Sequence, residues 1–188
     1  MNENQKKILL KTAKQTIDAA VHHRPAPVPH TEDPVLLEKQ GCFVTIKNRD
    51  QLRGCIGQFT ADRPLIEMVS QMAYSSCMRD PRFAGDRIRA SELPELDIEI
   101  SVLSSLEKTD DPLSLRLGID GIYITDGLRC GCFLPQVATE TGWSAEEFLS
   151  YCCAHKAGLP PDAWKTDPRV ETYLFSADVF GAGWNEIQ

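Results

Sequence analysis

The chain has no apolar run long enough to cross a bilayer, no dense block of Lys or Arg, and no Cys-x-x-Cys pair. Each absence removes a class of protein. Without the apolar run there is no membrane-spanning helix. The opening Met1-Asn2-Glu3-Asn4-Gln5-Lys6-Lys7 leads into a periodic amphipathic stretch rather than a secretory signal. Lys and Arg total 20 against 27 Asp and Glu, a net charge of -7, which repels phosphate backbones and excludes nucleic acid as a partner. Seven cysteines, an odd number without Cys-x-x-Cys spacing, make neither a zinc ribbon nor a complete disulfide framework. No cysteine triad for an iron–sulfur cluster, no G-x-G-x-x-G, no P-loop, no repeat and no low-complexity tract is present. The expectation is a soluble cytoplasmic protein with no membrane, metal or cofactor.

What is present is an ordinary globular composition, 42% hydrophobic and 25% charged over 188 residues, enough for one sizeable domain or one split into two lobes. Residues 5–23 place Leu9, Ala13, Ile17, Ala20 and Val21 at helical spacing. The alternating prolines of Arg24-Pro25-Ala26-Pro27-Val28-Pro29 stop that helix and form a short stiff connector. Cys42–Lys47 and Gln51–Phe59 read as a hairpin around Asn48-Arg49-Asp50. A helix follows Asp62-Arg63-Pro64 to about Cys77, and Asp80-Pro81-Arg82-Phe83 breaks it. Leu96–Leu103 alternates as a strand with one buried face. Asp126-Gly127 marks a second hairpin, Pro135 begins a helical piece, and Ser144 with Glu147 forms a capping box. Val170–Phe180 reads as one last extended segment. Hairpins require antiparallel pairing, so the class is α+β, a largely antiparallel sheet with packed helices.

The most informative segment is Leu52-Arg53-Gly54-Cys55-Ile56-Gly57. Strand alternation sends Arg53 and Cys55 to one face, and a guanidinium beside a thiol favours the nucleophilic thiolate. The two glycines clear space for a ligand or for another backbone. Such a cysteine suits covalent catalysis. The same residues also describe a buried thiol with glycines that mark a bulge and Arg53 exposed at a strand edge.

This hexapeptide resembles the signature of the AMMECR-type domain family, and the resemblance continues through Asp80-Pro81-Arg82-Phe83, Glu92-Leu93 and Ile98–Leu103. It runs on through Gly118–Ile122, Leu134–Ala138, Gly142-Trp143, Phe148-Leu149, Lys156–Leu159 and Trp164. The blocks fall in family order over residues 41–180, with residues 1–40 as an N-terminal helix and Pro-rich connector to a single domain of 1–188. The resemblance implies a compact α+β fold of two unequal lobes with a cleft between them. It also implies Memo-like and radical SAM protein partners, a grouping called the AmmeMemoRadiSam system, to which any radical chemistry would belong.

Around Cys55, Glu99 is the candidate proton carrier, or else part of a solvated strand face. Asp80 and Arg82 would hold an anionic ligand, or else make a turn cap and a surface ion pair. Gln136 could orient a ligand or cap its helix. His155 reads as a helix C-terminal residue. Cys130 and Cys132 with Cys152, Cys153 and His155 have no recurrent zinc spacing. Two functions remain in view. One is small-molecule chemistry at Cys55 and Glu99, with Arg53, Asp80, Arg82 and Gln136 binding substrate. The other is a non-catalytic docking module for the Memo-like and radical SAM partners.

Overall fold

The computed structural model describes residues 1–188, which form two compact units, Met1–Leu103 with Asp178–Gln188, and Ser104–Ala177. In the first unit α1 (Glu3–Val21) begins at Asn2, whose side chain accepts from the Gln5 N–H while Gln5 caps the Asn2 N–H in return. Its buried stripe Leu9, Ala13, Ile17 and Ala20 follows the helical period. The hairpin strands β1 (Cys42–Asn48) and β2 (Gln51–Gln58) are joined by Arg49 and Asp50, both at positive φ (48° and 66°), as a tight two-residue turn demands. β3 (Leu96–Leu103) pairs antiparallel with β1 on its other side, and β8 (Ala177–Gly183) closes the order β2-β1-β3-β8. Val44, Ile46, Ile98 and Ile100 meet α1 and α2 (Leu65–Met78) in the core of this unit.

The second unit has the sheet order β4-β7-β5-β6, with β4 at Glu107–Thr109, β5 at Gly121–Thr125, β6 at Cys130–Phe133 and β7 at Glu171–Phe175. Helices α3 (Pro135–Thr141), α4 (Ala145–Tyr151) and α5 (Ala163–Thr166) follow β6. The Ser144–Glu147 capping box forms as read from sequence. α4 continues into a wider π-turn over Cys152–Ala157 and ends at Gly158 in the left-handed region. Ile122, Ile124, Phe133, Phe148 and Leu149 form its core.

The structure corrects one element. The single extended segment expected over Val170–Phe180 is two strands in two different sheets. Ser176 separates them, its C=O accepting from the Ser104 N–H while its own N–H donates to the Ser104 hydroxyl. No helix is long and apolar enough to cross a membrane.

The β1–β2 pairing carries a bulge. Lys47 faces Leu52 and Ile46 faces Gly54, so Arg53 is the extra residue, and Thr45 comes opposite Cys55. On the helix side, α2 comes down onto β2 at Gly54, where a Cβ would stand 2.1 Å from the Ser76 carbonyl oxygen. Replacing Gly54 with Ala should lower stability by about 3 kcal/mol or more, because backbone rather than a flexible side chain blocks the space. Gly85, with nothing within 4 Å of its would-be Cβ, serves as control. Its alanine variant should stay within about 0.5 kcal/mol of the parent in urea denaturation.

Candidate functional site

Because β2 is an edge strand, Cys55 presents its N–H and C=O away from β1. Asp80 and Arg82 fill that gap as a neighbouring strand would. The Cys55 N–H donates to Asp80 Oδ2 at 2.9 Å, and Arg82 Nη2 donates to the Cys55 carbonyl at 3.0 Å. Asp80 follows the end of α2 and caps the short turn Pro81–Phe83 by accepting from the Arg82 N–H at 3.1 Å. Its carboxylate also takes a fork from Arg82, with Nε on Oδ1 at 3.0 Å and Nη2 on Oδ2 at 2.6 Å.

Asp80 is fully buried, and its hydrogen bonds from Arg82, with those of the Cys55 and Arg82 N–H groups, hold it down at about 2 against the desolvation that raises it. With both oxygens spent inside the protein, Asp80 does not reach a ligand. It positions Arg82 and the Cys55 backbone. Arg82 itself is 53% exposed and keeps Nη1 unbonded. Its charge is reinforced first by Asp80 and further by Cys55.

The Cys55 sulfur accepts from the Thr45 hydroxyl at 3.2 Å, across the register that the bulge created. The thiol is half-buried. Cys42 and Cys77, by contrast, are sealed in the core, where burial pushes them up to about 12 and about 11, and Cys152 rises the same way.

Arg53 does not serve the thiol as expected. Its bulged position turns the guanidinium to Glu92, at 3.1 Å and 3.3 Å, and to the Asp86 carboxylate at 2.9 Å. The cation beside Cys55 is Arg82, and the Phe83 ring lies within cation–π reach of both guanidinium groups, 5.9 Å from Arg53 and 5.7 Å from Arg82. Arg53 lines a polar groove of about 460 Å³ with Asn48, Asp86, Arg89 and Glu92, where every cation already faces a carboxylate.

Glu99 shares the sheet face with Cys55 but stands two strands away, about 10 Å by strand spacing, with Thr45 between them. Its ionic partner is Lys47 at 3.7 Å. Gln136 lies in the second unit, in the first turn of α3, with its Oε1 buried and unpartnered. The cap expected of it is absent. No three His, Cys, Asp or Glu side chains come together as a metal-binding group.

Sequence reasoning passed over Thr45 and Ser76. The Ser76 hydroxyl donates to the Val44 carbonyl at 2.7 Å and accepts from the Ile56 N–H at 2.9 Å, pinning β2 to α2 next to Cys55. Glu92 was legible only as part of a family block. Its role is to hold Arg53 and Asn48 while it caps the Arg89 N–H.

These features define an α+β protein of two antiparallel sheet units, with a clamped, half-exposed thiol on an edge strand. The AMMECR1 family matches residues 10–180, and the chain belongs to it. A protein of Methanothermobacter thermautotrophicus is 37% identical over 187 residues, covering 96% of this chain and 95% of that protein. Another, MK0488 of Methanopyrus kandleri, is 45% identical over 153 residues, covering 77% and 72%. The crystal structure of uncharacterized protein PH0010 from Pyrococcus horikoshii superposes with a TM-score of 0.87 at 35% identity, covering 96% of this chain and 93% of that one.

The Asp80 geometry sets an acid dependence. A carboxyl lowered from 3.8 to about 2 contributes stability above its unfolded value and loses it as the pH falls through 4 toward 2, about 2 kcal/mol in all. Asp80→Asn should therefore cost about 2 kcal/mol at pH 7 and far less near pH 2. Asp126 and Asp167 titrate in the same window, so the measurement is the difference between parent and variant in urea midpoints across that range.

Proposed function

We propose that Cys55 is the nucleophile of a small-ligand site in the first unit, with Arg82 holding an anionic or carbonyl oxygen of that ligand through its unbonded Nη1. The step is addition of sulfur to an electrophilic carbon. The S–C bond forms as the thiol proton leaves to water and the C=O π pair moves onto the oxygen, and the resulting oxyanion lies against the guanidinium. Asp80 and Thr45 position these groups, and Arg53 steadies the loop through Asp86 and Glu92. Glu99 exchanges protons through solvent from the same sheet face. Gln136, in the second unit, takes no part in this reading. One observation carries it: Cys55 is a half-exposed thiol with a hydroxyl donated to its sulfur and a guanidinium alongside, while Cys42, Cys77 and Cys152 are sealed.

A second reading rests on Gly54 and Gly57. The spaces they leave are filled by the Ser76 backbone and the Phe43 ring, which suits a motif that shapes a docking surface. The partners would be the Memo-like and radical SAM proteins that the family resemblance implies.

Iodoacetamide labelling at pH 7, read peptide by peptide by mass spectrometry, separates the readings. Under the nucleophile reading Cys55 is modified in the native protein and Cys42 is not. Arg82→Gln then slows Cys55 by roughly three- to tenfold while Cys130 keeps its rate. Labelling of Cys55 no faster than that of Cys42 would remove the nucleophile. A folded Cys55→Ser protein that still captures both partners and sustains their joint output would favour docking.

A further inference from the structure

The second unit holds a pair of thiols that the Cys55 site does not use. Cys130 and Cys132 are two residues apart on β6, opposite Thr125 and Tyr123 of β5, so both point to the sheet face away from the Ile122, Ile124 and Phe133 core. Cys130 is exposed and Cys132 half-buried. Between them Gly131 faces the other way, its would-be Cβ 2.4 Å from the Ala157 backbone nitrogen, which holds this strand against the π-turn. The Tyr123 phenol lies against Cys130.

Alternate residues on a strand lie about 6.6–6.8 Å apart with their Cβ atoms similarly separated, well beyond the roughly 3.5–4.5 Å Cβ spacing of a disulfide, so closing a bridge would require the backbone to move. Two metal–sulfur bonds of about 2.3 Å span a little over 4 Å, so an ion bridging the pair needs the two side chains to lean toward each other but does not need the short Cβ–Cβ approach of a disulfide. Zinc and iron–sulfur sites take four ligands, whereas two thiolates suit a soft monovalent ion. We propose that Cys130 and Cys132 together bind one soft metal ion of the Cu(I) class. Each thiol gives its proton to water as its sulfur–metal bond forms, with no change of oxidation state. The assignment is independent of the reading of Cys55.

The test is anaerobic competition for Cu(I) between the full chain and bathocuproine disulfonate. One ion per chain is expected at this site, and Cys130→Ser or Cys132→Ser alone should weaken it roughly a hundredfold or more. Retained affinity in the double variant would overturn the assignment. A readout on the unaltered chain covers variants that fail to fold. One equivalent of Cu(I) should protect Cys130 and Cys132 together from iodoacetamide while Cys55 labels at its metal-free rate. If either thiol of the pair labels as fast with the ion as without it, two-thiolate binding is wrong.

Discussion

A carboxylate with no exposure to water, Asp80, holds the edge of the first sheet in place. An edge strand leaves every second residue with an unpaired N–H and C=O. At Cys55 the donor is taken by Asp80 and the acceptor by Arg82, which Asp80 itself holds. Burying a lone carboxylate would be very costly. Here four N–H bonds, two of them from a guanidinium, reverse the balance and keep it ionised. Removing Asp80 would therefore disturb the turn, the guanidinium and the Cys55 backbone together. Their effects cannot be added as if they were independent.

The rest of the hexapeptide answers to neighbours. Gly54 admits the Ser76 backbone, Gly57 admits the Phe43 ring, Ile56 packs on the core, and Arg53 is bound by Glu92 and Asp86. Ser76 bonds the backbone on both sides of the β1–β2 seam. The fold thus uses the side-chain space of its neighbours and the backbone of Cys55, but it makes little packing use of the sulfur. A half-exposed thiol that receives a hydroxyl hydrogen bond is what remains once packing has been accounted for.

Periodicity and capping made much of the fold legible. α1, β3 and the Ser144 cap needed only local chemistry. Val170–Phe180 was misread because extended backbone looks alike on either side of Ser176, and the change of sheet depends on Ser104, far away in sequence. At the site, Cys55, Asp80 and Arg82 were legible as a group, but not their roles. Simple alternation assumes regular pairing. One bulged residue swung Arg53 away and brought Thr45 opposite Cys55; the glycines admit a bulge here, but the residue types do not say that Arg53 is the extra residue. Burial likewise recast Asp80, since composition does not say which carboxylate will lose all contact with water.

The Asp80–Arg82 pair also constrains what Cys55 could meet. A bound carboxylate cancels most of the guanidinium's long-range field, and the whole chain carries -7, so an anion is not drawn in from a distance. Attraction must come at hydrogen-bond range, from Nη1, because the Thr45 hydroxyl proton is already given to the Cys55 sulfur. A ligand of the proposed kind would therefore gain more from a single well-placed oxygen than from high charge. The groove beside Arg53 follows the same logic, with its cations already matched by Asp86, Glu92 and Glu95. Charge in this unit is spent on holding loops to strands, and any chemistry at Cys55 has to be won from geometry.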